Sequence, residues 1–251
     1  MSATTGTAEL WLRRFHPAPA APQRLICLPH AGASATYFFP ISAALSPAVD
    51  VVAVQYPGRQ ERRHEPCRES VDELADELTV LIRDLSDRPF ALFGHSLGAT
   101  VAYEVARRLE VEGIAATALF ASGRRAPSAH RDETVHLRDD AGVLAEVRAL
   151  GGSDAQLLED DEIVAMVLPA IRADYKAAET YRYTPGQEPR CDIVALVGES
   201  DPKVSIAEAE AWAGHTSGGF ESHVFPGGHF YLNTSIPAVL DVVSARLGTG
   251  F

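Results

Sequence analysis

Residues 94–98 read Gly-His-Ser-Leu-Gly and contain the side chain best suited to nucleophilic chemistry. The segment directly follows the apolar run 90–93 and opens a helical pattern that begins at Leu97. A serine held between two glycines, on a sharp turn from a strand into a helix, is the nucleophile-elbow pattern. Glycine suits positions 94 and 98 because larger side chains would collide across that turn. The sequence therefore predicts that Ser96 is a nucleophile.

A serine hydroxyl is a weak nucleophile and needs a base that is itself oriented by a carboxylate. In a fold with this elbow the acid follows the nucleophile in the chain, and the histidine comes last. His229 lies in a glycine loop after the last apolar run and is the predicted base. Asp201 follows the preceding apolar run, 193–197, and is the predicted acid. Glu199 is a competitor, whereas Asp192 comes too early because it precedes its strand.

Such a site also needs an oxyanion hole made of backbone N–H groups, one after the nucleophile and one from the first strand–helix loop. These positions are Leu97 and, in the loop 30–34, Ala31. The histidines beside these donors, His30 and His95, are expected to be structural. We find no zinc-ligand spacing, dinucleotide fingerprint or P-loop, so we expect no metal and no nucleotide cofactor.

The elements that would position these groups alternate along the chain. Apolar runs predict strands over residues 24–29, 51–56, 90–93, 116–120, 193–197 and 222–225. Helical periods cover residues 70–85, 97–109 and 237–247, and Ser70 with Glu73 forms the pattern of a capping box. Strands that are apolar on both faces and separated by helices indicate a parallel sheet covered by helices on each side.

One connection departs from this alternation. About 70 residues separate the strand near Phe120 from the strand near Ile193, which is far longer than an ordinary connection. Helical periods cover residues 144–150, 157–168 and 171–183 of this stretch. Pro169, between the last two, is expected to kink a helix or to start a new one. We therefore predict a helical insertion set on one edge of the sheet.

Composition excludes several classes of protein. The 251 residues include 34 acidic and 22 basic side chains, a formal charge of −12 that argues against binding duplex nucleic acid or an acidic membrane surface. The hydrophobic fraction of 46% is too high for a disordered chain. Three cysteines are too few for a disulfide framework. With no signal-peptide pattern at the start and no long apolar run, we expect a cytoplasmic protein and no membrane.

Several segments together resemble the type II thioesterases, stand-alone enzymes that accompany polyketide and nonribosomal peptide synthases. The similarity runs from about residue 24 to 247, and its main segments are residues 28–35, 55–59, 93–99, 150–152, 168–174 and 225–230. The resemblance implies one α/β-hydrolase domain over residues 1–251, with a helical lid at approximately 126–188. Ala33 departs from the pattern, because the family commonly has a second glycine there, and this bears on the placement of the donor at Ala31.

The resemblance also implies an activity and a partner. Such an enzyme removes misprimed or stalled acyl groups, by thioester hydrolysis, from the phosphopantetheine arm of an acyl or peptidyl carrier protein, and it needs no cofactor. Carrier proteins are generally acidic, so the basic segments 59–63 and 124–125 are either docking surfaces or simply solvated faces. Met166, Leu168 and Ile171 either line an acyl chamber or pack the lid onto the core.

Three alternatives remain open from the sequence. A carboxylesterase or lipase would share the triad but would not explain the segments 29–35 and 150–152. An acyltransferase or cyclase would replace water with another nucleophile. A hydrolase fold that only binds or scaffolds other molecules is the third, and the intact Ser–Asp–His set argues against it.

Overall fold

A seven-stranded β-sheet organises the chain, and the computed structural model describes residues 2–151 and 160–249. In chain order the strands are β1 (Leu12–Arg13), β2 (Arg24–Leu28), β3 (Asp50–Val54), β4 (Phe90–His95), β5 (Ala118–Ser122), β6 (Asp192–Gly198) and β7 (Phe220–Phe225). They lie in the order β1-β3-β2-β4-β5-β6-β7. All neighbouring pairs are parallel except β1 with β3. The predicted, mostly parallel sheet is thus confirmed.

Strand boundaries differ from the predicted ones where pairing, rather than apolar character, sets them. β5 begins two residues later than predicted and ends at Ser122, because it pairs with β4 up to the His95–Ser122 match. β3 ends at Val54, two residues before the predicted end. β1 was not predicted, since two residues are too short to show a period of two.

Helices cover both faces of the sheet. Within the described residues the α-helices are α1 (Ser2–Trp11), α2 (Phe39–Leu45), α3 (Val71–Arg83), α4 (Leu97–Val111), α5 (Asp140–Ala149), α6 (Asp161–Thr180), α7 (Ile206–Glu210) and α8 (Leu232–Leu247). On one face α3 and α4 pack into a core that includes Leu78 and Val105. On the other face α2 and α8 pack into a second core through residues such as Leu45 and Val243. β2 to β5 are buried along their whole length between these two cores.

The start of α3 shows how local sequence positions a helix. The Ser70 hydroxyl accepts a hydrogen bond from the Glu73 N–H at 3.1 Å, as the capping pattern predicts. The Glu73 carboxylate accepts from the N–H of Glu69 at 3.3 Å. The second half of the predicted box is therefore displaced by one residue, because the reciprocal bond should come from Ser70 itself.

The long connection between β5 and β6 contains α5, α6 and a short 3-10 turn, Val135–Leu137. The helices predicted over 157–168 and 171–183 form a single helix, α6, with Pro169 inside it, so the alternative in which Pro169 starts a new helix is wrong. Gly152 and Leu157, with the rest of 152–159, lie outside the described residues. The turn and both helices share a small apolar cluster separate from the two cores on the sheet; its buried members are Val135, Val143, Leu144, Leu168 and Ile171.

None of the helices in residues 2–151 and 160–249 combines the length and the apolar character needed to cross a bilayer.

Candidate active site

Ser96 occupies the turn between β4 and α4. Its φ of +54° and ψ of −119° are unusual for a residue that has a side chain, and such strain is typical of functional positions. The two glycines explain how the turn closes. A Cβ at Gly94 would lie 2.2 Å from the Gly98 carbonyl oxygen, and a Cβ at Gly98 would lie 2.1 Å from the carbonyl oxygen of Leu28 in β2. The predicted elbow is therefore built by close backbone contact that only glycine permits.

His229 lies within hydrogen-bonding distance of Ser96. Its Nε2 is 3.1 Å from Ser96 Oγ, and its Nδ1 is 2.9 Å from Asp201 Oδ2 and 3.1 Å from Oδ1. Asp201 Oδ1 also accepts the Lys203 N–H at 2.8 Å, which fixes the carboxylate. Because Asp201 accepts from Nδ1–H, Nε2 is left free to take the proton of Ser96. The structure thus brings together the three residues singled out from the sequence.

The ends of parallel strands explain this convergence. Ser96, Asp201 and His229 follow β4, β6 and β7, whose carboxyl ends share one edge of the sheet. The loops after β6 and β7 are tied directly, because the Ser200 N–H donates to the Gly227 carbonyl at 3.0 Å. The competitor Glu199 is exposed to solvent, and Asp192 lies at the start of β6, where it pairs with Arg246. Neither carboxylate contacts His229.

The two proposed oxyanion donors lie beside the nucleophile. Leu97 is the first residue of α4, Ala31 is in the loop after β2, and both line the small cavity that contains Ser96 and His229. The left-handed position in the loop is Gly32, with a φ of +79°. Ala33 is not among the residues with positive φ, so the alanine at this position introduces no backbone strain.

His30 and His95 pack behind the triad. The His95 ring centroid is 5.3 Å from that of His229, and its Nδ1 is 2.9 Å from Ser122 Oγ, which lies 2.6 Å from the Tyr231 hydroxyl. Burial lowers the pKa of His95 well below its ordinary value. Burial, with smaller contributions from His229 and Arg59, lowers the pKa of His30 to about 3. Both rings are therefore neutral at physiological pH, which fits the structural role expected for them.

Sequence reasoning missed Ser122 and Tyr231, which support His95 and hence the packing around His229. Ser122 ends β5 at the same edge of the sheet as the triad, and Gly123 follows it with a φ of +57°. A Cβ at Gly123 would lie 2.7 Å from His95 Cε1. The signal that could have identified this support was a small polar residue followed by a glycine, Ser122 and Gly123, separated by one residue from the predicted strand 116–120.

Two neighbouring cavities lie on the side of the molecule where the triad is found. The smaller, of about 50 Å³, contains Ser96 and His229. The larger, of about 520 Å³, has one apolar wall on α6 that includes Met166 and Ile171, and the loop after β2 lines another part of it. Its wall and that of the smaller cavity share five residues, namely His30, Ala31, Leu150, Tyr175 and Phe230. Of the three predicted chamber residues, Leu168 instead packs in the cluster between α5, α6 and the 3-10 turn.

The basic segments 59–63 and 124–125 are largely internal. Arg59 is 7% exposed and Arg62 3%, each paired with a carboxylate. Arg125 is 5% exposed and pairs with Glu133. Burial, and then the neighbouring Arg125, lowers the pKa of Arg124 to about 10. Arg59, Arg62 and Arg125 therefore form neither a solvated face nor an exposed basic surface, whereas Arg63 is exposed and Arg124 is half-buried. Docking of an acidic partner at these segments stays a prediction.

Comparison with known proteins identifies the family of the chain. Residues 23–247 match the thioesterase domain family. Thioesterase PikA5 of Streptomyces venezuelae is 50% identical over 240 residues, which cover 95% of this chain and 85% of the relative. The solved type II thioesterase BorB, from the borrelidin biosynthetic cluster, is 52% identical with a TM-score of 0.90 over 95% of this chain and 98% of that one. RedJ, a thioesterase of the prodiginine pathway in Streptomyces coelicolor, is 35% identical with a TM-score of 0.87 over 92% and 93%.

These matches confirm the α/β-hydrolase fold and the resemblance to type II thioesterases that the sequence motifs suggested. They span both the strands that position the nucleophile and the long connection that contains α5 and α6. The chain belongs to the thioesterase family and is a hydrolase that cleaves thioesters.

Proposed function

We propose that this thioesterase removes acyl groups from the phosphopantetheine arm of carrier proteins, using Ser96, His229 and Asp201 as its catalytic triad. The observation that carries the proposal is the unbroken hydrogen-bond path from Ser96 Oγ through His229 to Asp201, in a small cavity whose wall shares five residues with a larger one. A serine activated in this way attacks carbonyl carbon, and a thioester carries a good leaving group.

The reaction follows from the positions of these atoms. His229 Nε2 takes the hydroxyl proton as Ser96 Oγ bonds to the thioester carbonyl carbon. The N–H groups of Ala31 and Leu97 stabilise the negative oxygen of the tetrahedral intermediate, a contribution worth about 10²–10³ in rate per donor. The C–S bond then breaks, and the proton on His229 passes to the departing thiolate. Water next attacks the acyl ester and gives a proton to His229, which returns it to Ser96 Oγ as the acid leaves.

We assign the larger cavity to the acyl chain and residues 126–188 to a lid that covers it. Support for the lid comes from the separate apolar cluster that joins α5, α6 and the turn at Val135–Leu137. Support for the chamber comes from its apolar wall on α6, which includes Met166, Val167 and Ile171. In this assignment the single domain consists of the sheet with its covering helices, and the lid is an insertion within it.

The biological setting follows from the relatives. BorB comes from the borrelidin biosynthetic cluster and RedJ from the prodiginine pathway. We infer that this chain serves a polyketide or nonribosomal peptide synthase, where hydrolysis clears misprimed or stalled acyl groups, and that its partner is a carrier protein bound transiently. The proposed chemistry uses only side chains and backbone groups, so no cofactor enters it. Three free cysteines fit a reducing, cytoplasmic setting.

The decisive experiment compares kcat/KM for one acyl group attached to a carrier protein, to coenzyme A and to an oxygen ester. We expect the carrier-bound thioester to be the preferred substrate and the Ser96→Ala variant to be inactive on all three. A serine-reactive phosphonate should label the native protein and not the variant. A clear preference for the oxygen ester would refute the carrier-protein assignment, and labelling of Ser96→Ala would refute the assignment of the nucleophile.

A further inference from the structure

Asp174 is a buried carboxylate on α6 that the proposed mechanism does not use. Its side chain is 1% exposed and receives both Nη groups of Arg59, at 2.8 and 2.9 Å. Asp174 Oδ2 also accepts the backbone N–H of Gly32 at 2.7 Å. Gly32 directly follows Ala31, the proposed oxyanion donor. A side chain of the long connection is therefore bonded to the main chain of the oxyanion loop.

The segment 55–60 holds the same loop from the other side. Arg59 Nη1 donates to the Ala33 carbonyl at 3.0 Å, and the Gln55 side-chain oxygen accepts the Ala35 N–H at 2.7 Å. The Gln60 side chain donates to Ser34 Oγ at 2.8 Å. Three side chains of one segment thus contact three successive residues, two of them through backbone groups, a pattern that restricts the backbone of the loop.

Helix α6 also packs directly onto the turn of the loop. A Cβ added at Gly32 would lie 2.7 Å from Ile171 Cγ1, so α6 and the loop backbone touch at this point. Ile171 and Asp174 are three residues apart and hence lie on the same face of the helix. The apolar contact and the ion pair therefore act at the same place, between α6 and Gly32.

We propose that Arg59 and Asp174 are positioning residues that orient the oxyanion loop, and that they make the oxyanion hole dependent on α6 being seated against it. The carboxylate fixes the Gly32 peptide group, and this group constrains the direction of the N–H of the residue before it. The inference rests on the proposed triad and oxyanion hole. It accounts for the segments 55–59 and 168–174, which contribute no atom to the triad.

The test is the Asp174→Asn variant, which keeps the shape of the side chain but removes the charge that holds Arg59. We expect kcat to fall about 10- to 100-fold with KM within about twofold, because a donor displaced by around 1 Å can cost about 10² in rate. Affinity for a trifluoromethyl ketone analogue, whose adduct with Ser96 has an oxyanion, should fall in parallel. Affinity for the unreactive thioether analogue should not change.

Asp50→Asn is the matched control. Asp50 is likewise buried and paired with an arginine, Arg24 at 2.9 Å. It is the first residue of β3 and therefore lies at the end of the strands opposite to the triad. The Asp50→Asn variant should lower the melting temperature about as much as Asp174→Asn does and leave kcat unchanged. Arg172→Gln, which removes contacts between α6 and the residues 136–140, is a second control for helix attachment.

The inference is overturned if Asp174→Asn keeps the native kcat or loses affinity for both analogues equally. It is also overturned if Asp50→Asn loses as much activity as Asp174→Asn. Should Asp174→Asn not fold, Arg59→Lys is judged by the same criteria, since it keeps the charge but loses the two-pronged contact. An oxygen ester serves as well as a thioester in this assay. A native protein that hydrolyses neither would refute the proposed function, whereas an active native protein with an equally active Asp174→Asn refutes only the inference.

Discussion

Replacing Gly98 with alanine should separate the nucleophile turn from the loop that carries the second oxyanion donor. The new Cβ would lie 2.1 Å from the Leu28 carbonyl oxygen and 2.8 Å from that of Pro29. Both are backbone atoms, so no side chain can rotate away. An ordinary contact begins near 3.4 Å, and α4 must therefore move away from the end of β2 by about 1.3 Å. Leu97 precedes Gly98 directly and Ala31 follows Pro29 by two residues, so the contact lies between the segments that carry the two proposed donors.

The Gly98→Ala substitution should affect the stability of the fold less than the rate of the reaction. Overpacking of this kind costs about 1–3 kcal/mol of folding free energy, which a domain with about 5–15 kcal/mol of stability tolerates. The rate effect should be larger, because a misplacement of about 1 Å at a reacting centre can cost about 10² in rate. We therefore expect a folded Gly98→Ala protein with kcat reduced about 100-fold and a lower rate of labelling by the phosphonate.

The assay is steady-state hydrolysis of a small acyl thioester, with circular dichroism to confirm that the variant is folded at the assay temperature. Gly214→Ala is the matched control, because a Cβ there meets nothing within 4 Å and the backbone has no positive φ. If Gly98→Ala retains kcat within twofold of the native value while folded, close contact between β2 and the elbow does not determine the geometry of the site, and the reasoning fails.

Three further outcomes are expected. Asp201→Asn should lower kcat about 10³- to 10⁴-fold with little change in melting temperature, since the amide no longer fixes the useful tautomer of His229; a loss below tenfold would contradict the role of Asp201. Burial lowers the pKa of His30 from 6.5 to about 3, so below pH 6.5 the unfolded chain binds a proton that the folded chain does not, and stability falls as the pH falls. The contribution of His30 between pH 7 and 5 is about 2 kcal/mol, and urea denaturation of His30→Asn should show a correspondingly weaker pH dependence. Ala170→Phe should narrow the larger cavity and reduce kcat/KM at least about tenfold more for an eight-carbon than for an acetyl thioester, because excluding one methylene from an apolar pocket is worth about 1–3 kcal/mol; equal losses would contradict the assignment of the chamber.

The triad could be identified from the sequence because each member is local to a strand end. Ser96 and Asp201 follow strands that are buried almost throughout, and His229 follows the outer strand β7, which is buried only at Phe225. Parallel strands place all three positions at one edge of the sheet. No distance had to be known for this inference. The direction of the chain and the order of the residues were sufficient, and the observed separations of 2.9 and 3.1 Å agree with it.

Burial of charged residues could not be inferred in the same way. Arg62 and Arg125 belong to short basic segments, which usually lie on a solvated face. In the structure Arg62 lies over the Trp11 ring at 4.3 Å and donates to the Gln55 carbonyl, while Arg125 pairs with Glu133. Each is stabilised by groups from other parts of the fold. A basic segment alone therefore does not indicate whether its charge is available to a partner.

The segments 55–59 and 168–174 show why resemblance and chemistry identify different residues. They helped to place the chain among the type II thioesterases, yet neither supplies a nucleophile, a base or an acid. Arg59 and Asp174 are 115 residues apart, and nothing in either segment indicates that α6 lies across the loop after β2. Only when that helix is in place does the carboxylate reach the N–H of Gly32. Reactive groups can be identified from the sequence because their residue types indicate their chemistry. Groups that orient the backbone of an oxyanion hole have no distinctive residue type, and only their contacts in the structure identify them.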